Sequence, residues 1–195
     1  MTEREVLMTG IGGQGIQLAA QVLCRAALAE GRDVQLFGSY GGMMRGGNTE
    51  ATIILADGPV EAPPTVSRAW SALALHHEHF APVARLLRPG AVVLVNTTVF
   101  EGDVDRDLFS VVDVPATELA GQAGNVMAAS MVMLGAFSAA TAMVSLASLS
   151  DAVAEALPSY RSQHVSLNVT ALSLGRDAVP GVVAEAWPVA ERSAR

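Results

Sequence analysis

The sequence predicts an α/β protein: a three-layer α/β/α sandwich around a mostly parallel, Rossmann-like sheet. Three observations carry this expectation. Apolar runs of strand length alternate with runs of helical period along the chain. Ala91–Asn96 is apolar at consecutive positions, as in a strand covered on both faces. The first apolar run leads through Gly10-Ile11-Gly12-Gly13-Gln14-Gly15 into an Ala-rich helical stretch. A strand, a tight turn and a helix start is the first unit of a doubly wound sheet.

The elements follow in order. Arg4–Thr9 is the first strand. Gln14–Glu30 is the first helix, with Ile16, Ala20, Leu23, Ala27 and Leu28 near helical period and Gly31 as its stop. Val34–Gly38 is a strand, followed by a second glycine-rich loop, Ser39-Tyr40-Gly41-Gly42-Met43-Met44-Arg45-Gly46-Gly47-Asn48. Thr49–Ala56 has β-branched alternation, and Asp57-Gly58-Pro59 turns the chain. Trp70–Leu75 is a short buried strand, His76–Leu87 a helix closed by Arg88-Pro89-Gly90, and Ala91–Asn96 a strand. Ser110–Val114 is the last strand, stopped by Pro115, and Thr117–Gly121 a short helix. Gly124-Asn125 opens a long helix to about Leu146, with Asn125 as its cap. Ser150–Leu157 is a helix capped by Ser150 or Asp151, and Gln163–Leu174 a last helix before Gly175. Residues 1–175 form one domain, and 176–195, with Pro180 and Pro188, an irregular tail.

Composition narrows the function classes. The chain is 51% hydrophobic, which predicts a packed core and some apolar surface buried in an assembly. A net charge of −7 opposes general binding to nucleic acid. Cys24 is the one cysteine, so the chain has neither an internal disulfide nor thiolates for an iron–sulfur cluster or zinc site. Asn125–Leu149 has the length of a membrane span but lacks Lys/Arg flanks and interfacial aromatics, which favours a buried central helix. With no basic segment followed by an apolar one at the N-terminus, the expected location is cytoplasmic.

Two loops carry the site expectation. Glycines let the backbone approach a ligand, and the free N–H groups of a helix start favour phosphate or carboxylate. Gly10, Gly12 and Gly15 satisfy G-x-G-x-x-G, but a nicotinamide site also needs an acidic residue closing the second strand. That strand ends Leu36-Phe37-Gly38-Ser39, and Glu30 and Arg32 both precede it, so the ribose clamp is missing. In the second loop, Gly41-Gly42 and Gly46-Gly47 bracket Met43, Met44 and Arg45. Arg45 suits an anion, the methionines suit an adaptable contact surface, and a plain structural loop is the competing reading. Elsewhere, His76-His77-Glu78-His79 reads as a polar helix start rather than a metal site, having no His-Glu-x-x-His spacing. Asp103, Asp105 and Asp107 lack the glycine and distal Glu of a calcium loop. Ser39, Tyr40 and Ser130 make no nucleophile elbow.

Gly10-Ile11-Gly12-Gly13-Gln14-Gly15, Ser39-Tyr40-Gly41, Arg45-Gly46-Gly47, Leu134-Gly135-Ala136 and Asn168 with Ala171 and Gly175 together resemble the gamma subunit of 2-oxoacid:ferredoxin (or other acceptor) oxidoreductases. That group includes the pyruvate, 2-oxoglutarate, ketoisovalerate and indolepyruvate enzymes. The sequence departs from the usual pattern at Gly42-Met43 and at Ser130. The resemblance implies a subunit that is not active alone. Thiamine diphosphate, Mg and iron–sulfur clusters are expected on partner subunits, with electrons passing to ferredoxin or another acceptor. Coenzyme A is the candidate ligand of this chain, with Gly12, Gly13, Gln14, Gly15, Arg45 and Asn48 as binding residues. The alternative is a stand-alone Rossmann-like nucleotide- or anion-binding module.

Overall fold

The computed structural model describes residues 1–40, 47–61 and 65–187. Six strands form one sheet: β1 (Glu3–Ile11), β2 (Asp33–Tyr40), β3 (Asn48–Ala56), β4 (Ala69–Ala74), β5 (Leu87–Asn96) and β6 (Ser110–Val114), in the order β2-β3-β1-β4-β5-β6. The β1–β4, β4–β5 and β5–β6 pairs are parallel. Only β3 runs against its neighbours, pairing antiparallel with both β1 and β2. β2 therefore points the same way as β1, and the sheet is mostly parallel, as expected.

The helices are α1 (Ile16–Ala29), α2 (Phe80–Ala84), α3 (Ala116–Gln122), α4 (Ala129–Thr141), α5 (Leu146–Ala156) and α6 (Val165–Asp177). Strand alternation sends Val6, Met8, Leu73, Val92 and Leu94 into a large core with α1, α3, α4, α5 and α6. Leu7, Ala72, Ala74, Val93 and Val95 face the other side, where Phe80 and Val83 of α2 and Phe109 cover them. Helices thus lie on both faces, but the second layer is thin.

Several boundaries differ from the sequence expectation. His76–Leu87 is not one helix: α2 has 5 residues, and Leu87 already pairs with Ala69. Arg88-Pro89-Gly90 lies inside β5, where the register shifts before Val92 meets Ser71. Gly90 has φ 77° there, so a proline is tolerated at an irregular point of the ladder. The expected long helix divides. Asn125 accepts from Met127 N–H and caps a 3-10 turn, Val126–Ala128, that leads into α4. α4 stops at Ala142, a non-glycine residue with φ 49°. Three short hydrogen bonds hold that bend: Ser138 Oγ to Val144 O at 2.7 Å, Thr141 Oγ1 to Phe137 O at 2.6 Å, and Met143 N to Thr141 Oγ1 at 3.2 Å. Ser145, not Ser150 or Asp151, caps α5 by accepting from Ser148 N at 3.1 Å.

Gly175 is not a helix stop either, because α6 continues to Asp177. It is a packing residue. A side-chain carbon there would collide with the carbonyl of Val132, and one at Gly135 with that of Leu172. α4 and α6 cross backbone to backbone at these two glycines.

Residues 178–187 form no helix or strand, yet Val179 and Ala186 are buried. Arg4 Nε donates to Ala186 O at 2.6 Å, and Trp187 Nε1 to Met143 O at 2.8 Å. The Arg32 guanidinium stacks 4.1 Å above the Trp187 ring. Among the described residues no helix is long and apolar enough to cross a membrane.

Candidate functional site

β1 is followed by α1, which leads outward to β2, whereas β4 is followed by α2, which leads the other way to β5. The strand order therefore reverses between β1 and β4. The crevice outside the carboxyl ends of those two strands is where open α/β sheets bind ligands. Gly12–Gly15 and His76–His79 occupy it.

The first turn is built by Gln14. Its Oε1 accepts from Ile11 N at 2.9 Å, and its Nε2 donates to Leu75 O at 3.3 Å. One side chain thereby ties the end of β1 to the end of β4. Gly10 makes the room: a Cβ there would stand 2.5 Å from Gln14 Oε1. Leu75 O also receives Asn96 Nδ2 at 3.4 Å, and Asn96 is held by Thr117 through Oγ1 at 2.9 Å and N at 3.2 Å. Gly13 and Gly15 have φ 104° and 78°, conformations that favour glycine. Gly15 is the N-cap of α1 and supplies no side-chain cap, so the first-turn N–H groups of α1 have no cap among the described residues. A Cβ on Gly15 would also lie 2.7 Å from Ser130 Oγ at the start of α4.

The second loop meets this turn. Ile11 pairs with Asn48 at the end of the β1–β3 ladder, and Gly12 N donates to Gly47 O at 2.9 Å. Asn48 Nδ2 donates to Glu50 Oε1 at 2.7 Å, while its buried Oδ1 has no partner among the described residues. Arg45 lies outside the described residues. Of the six sequence-predicted site residues, Gly12, Gly13, Gln14, Gly15 and Asn48 thus lie on one sheet edge. Gly12 and Gly13 are exposed, whereas both ends of the Gln14 amide are engaged inside the protein.

Sequence reasoning missed the opposite wall of the turn. A cavity of about 430 Å³ is lined by Gly13, Gly15 and Leu18, by Met127 and Asn125, and by Arg161, His164 and Asn168 beyond Leu157. These segments are far apart in the chain. The only hint in the sequence was Arg161 and His164 close together, ahead of Asn168, in a strongly acidic protein.

The histidines make no common centre. His76 and His77 stack at 4.4 Å between centroids. Burial, with His77 next to it, pushes the His76 imidazole below its ordinary value. His77 Nδ1 lies 3.1 Å from Glu101 N and 3.3 Å from Val99 O, which ties the ring to the loop after β5. Among the described residues no group of three or more His, Cys, Asp or Glu is arranged to hold a metal ion.

The fold and this edge define the class: an α/β module whose glycine turn presents an uncapped helix start at a topological switch point. Residues 5–178 match the pyruvate ferredoxin/flavodoxin oxidoreductase family, and the chain belongs to it, as a gamma-type subunit of the 2-oxoacid oxidoreductases. It is 30% identical over 183 residues to the 2-oxoglutarate synthase subunit KorC of Methanothermobacter thermautotrophicus, covering 90% of this chain and 95% of the relative. The crystal structure of the keto/oxoacid ferredoxin oxidoreductase gamma subunit from Geobacter sulfurreducens superposes with a TM-score of 0.73 at 27% identity. That match covers 90% of this chain and 97% of the other. The 2-oxoglutarate:ferredoxin oxidoreductase from Magnetococcus marinus, solved with 2-oxoglutarate, coenzyme A and succinyl-CoA bound, shares the fold. Its TM-score is 0.80 at 16% identity, over 94% of this chain and 33% of that one. This membership weighs against a stand-alone nucleotide-binding module.

Proposed function

We propose that this subunit forms one wall of the channel through which coenzyme A reaches a thiamine-dependent 2-oxoacid oxidoreductase, and that it is inactive alone. The observation that carries the reading is the bond from Gly12 N to Gly47 O, which brings the described end of the second glycine-rich loop beside the first turn at the switch point. There, exposed backbone at Gly12 and Gly13 adjoins the α1 start, a place suited to a phosphate of coenzyme A. Gln14 shapes the turn, Asn48 closes the β1–β3 ladder beside it with a buried Oδ1 that has no partner among the described residues, and Arg45 carries the positive charge of the second loop. Coenzyme A accompanies the same fold in the Magnetococcus marinus enzyme.

The donor set does not suit the other groups of such an enzyme. A cluster held by four thiolates cannot be built from one cysteine, and Cys24 is buried with its thiol pushed up to about 12 by that burial. Thiamine diphosphate, Mg and the clusters are assigned to partner chains. In the assembled enzyme the 2-oxoacid loses its carboxylate as CO2, its acyl carbon is transferred to the thiol, and two electrons leave through the clusters to ferredoxin or another acceptor.

The test uses the complex isolated from its native source. Larger chains bearing thiamine diphosphate and clusters should co-purify with this subunit. Arg45→Ala should raise the KM for coenzyme A several-fold with little change in kcat. A stable, monodisperse chain that travels alone and binds NAD(P)H in isothermal titration would sink the reading. An unchanged KM would remove Arg45 from the site.

A further inference from the structure

The thin second layer carries a cavity that the glycine turn does not touch. It encloses about 360 Å³ between α2 and residues 100–109, on the way from β5 to β6. Phe80 and Phe109, each 7% exposed, belong to the small core beneath it, and Phe100 and Val104 pack on that core. The Phe100 ring stands at 74° to Phe80 and 82° to His77, with centroids 5.5 and 6.1 Å apart. Aromatic walls of this kind receive an apolar group or, at their ring faces, a cation.

The rim decides between the two. Glu101, Asp103 and Asp105 line the cavity, and among the described residues no lysine or arginine joins them. None of the three makes a salt bridge among the described residues. Arg106, the cation nearest in sequence, is already held by both carboxylate oxygens of Asp113, at 2.9 and 2.8 Å. Asp105 is partly used, since its Oδ1 accepts from Asp107 N and from Leu108 N at 3.0 Å. Glu101 and Asp103 are exposed. Unpaired negative charge over an aromatic floor complements a positive charge on an apolar stem. Leu86, two residues past α2, and Leu108, next to Phe109, are exposed as well, so apolar surface continues past the cavity.

We propose that this cavity docks a partner subunit of the enzyme, which inserts one arginine or lysine side chain between the phenylalanines and the carboxylates of Glu101 and Asp103. The same face of a second copy does not fit, because it would set carboxylates against carboxylates. The inference rests on the chain being one subunit of an assembly and not on the coenzyme A reading. Neither Gly12–Gly15 nor Asn48 lines the cavity.

Hydrogen exchange of the isolated subunit and of the assembled enzyme gives the first readout. Amides of residues 77–85 and 100–109 should exchange more slowly in the complex. The second readout is dissociation of the complex on dilution. Glu101→Gln combined with Asp103→Asn should weaken association about tenfold or more at low salt, and the difference should shrink at high salt, where screening acts. Asp105 is left in place because it holds its own turn. Both substituted side chains are exposed, so the isolated double variant should melt with wild type, which separates docking from folding. Unchanged exchange in both segments on assembly, or equal association of variant and wild type, would overturn the proposal. A weakening that salt does not reduce would remove the cation from the contact and overturn it too. Protection of the same segments in the isolated chain at high protein concentration would give the surface to a second copy instead.

Discussion

Gly135 and Gly175 oppose each other across α4 and α6: a side chain on the first would fall on the carbonyl of Leu172, and one on the second on that of Val132. In both cases the obstacle is backbone, which cannot rotate away. Gly135→Ala and Gly175→Ala should each lower unfolding stability by about 2–4 kcal/mol, through overpacking that only a helix shift can relieve. Gly121→Ala in α3 is the control. Its Cβ would meet only Val126 Cγ1 at 3.8 Å, and helix propensity predicts a gain of up to about 1 kcal/mol. Urea denaturation of the three variants measures the contrast.

Gln14→Ala removes the acceptor for Ile11 N and the donor to Leu75 O together. The expected loss is about 1–3 kcal/mol, as for a part-buried backbone donor left without its partner. Gln14→Glu should fall between wild type and Gln14→Ala, because a carboxylate still accepts from Ile11 N but cannot donate to Leu75 O. Denaturant midpoints at pH 7 give the order.

Glu30 closes α1 and accepts from Ser145 N at 2.7 Å at the head of α5. Burial raises its carboxyl, but hydrogen bonds from Ser145 and Ser148 and the nearby Arg32 outweigh burial and hold it below 4.5. A lowered folded value means that the unfolded chain binds the proton more readily in acid. The stabilisation is thus complete above the unfolded value and disappears as pH falls through the folded one. Wild type should melt above Glu30→Gln at pH 7, and the gap should narrow as pH falls below the ordinary glutamate value of about 4.3. A gap that does not narrow in acid would assign the difference to packing.

Cys24 is 7% exposed, and burial pushes its thiol up to about 12. At pH 8 almost none of it is thiolate, the reactive form. Labelling by an aromatic disulfide reagent should be undetectable in the native chain and should rise in step with the loss of helical circular dichroism on adding urea.

Much of the fold was legible because local signals and packing agreed. The apolar run at Ala91–Asn96 and the glycines after Thr9 placed β5, β1 and the turn into α1. The errors lie where tertiary contacts overrode local signals. Nothing in Thr141-Ala142-Met143 announces a stop. The bend exists because Ser138 and Thr141 turn their hydroxyls onto the backbone. Gly175 carries the local signature of a stop, but the neighbouring helix, which the sequence does not display, decides its role. Pro89 looked like punctuation and instead sits at an irregularity in β5. At the site, the turn was visible as a contiguous run of glycines. The cavity was not, since Gly13, Asn125, Arg161 and Asn168 meet only once α1, α4 and α6 have packed.

The Gln14 clasp has a consequence for assembly. Its two bonds are made within the subunit, between groups of β1, β4 and the turn itself. The shape of the turn is therefore set before any other chain arrives, and docking does not have to order it. Were a partner to dock on this face, the encounter would be a search for orientation rather than a wait for rearrangement, and differences in affinity among variants of its rim would appear in how long the complex lasts rather than in how fast it forms.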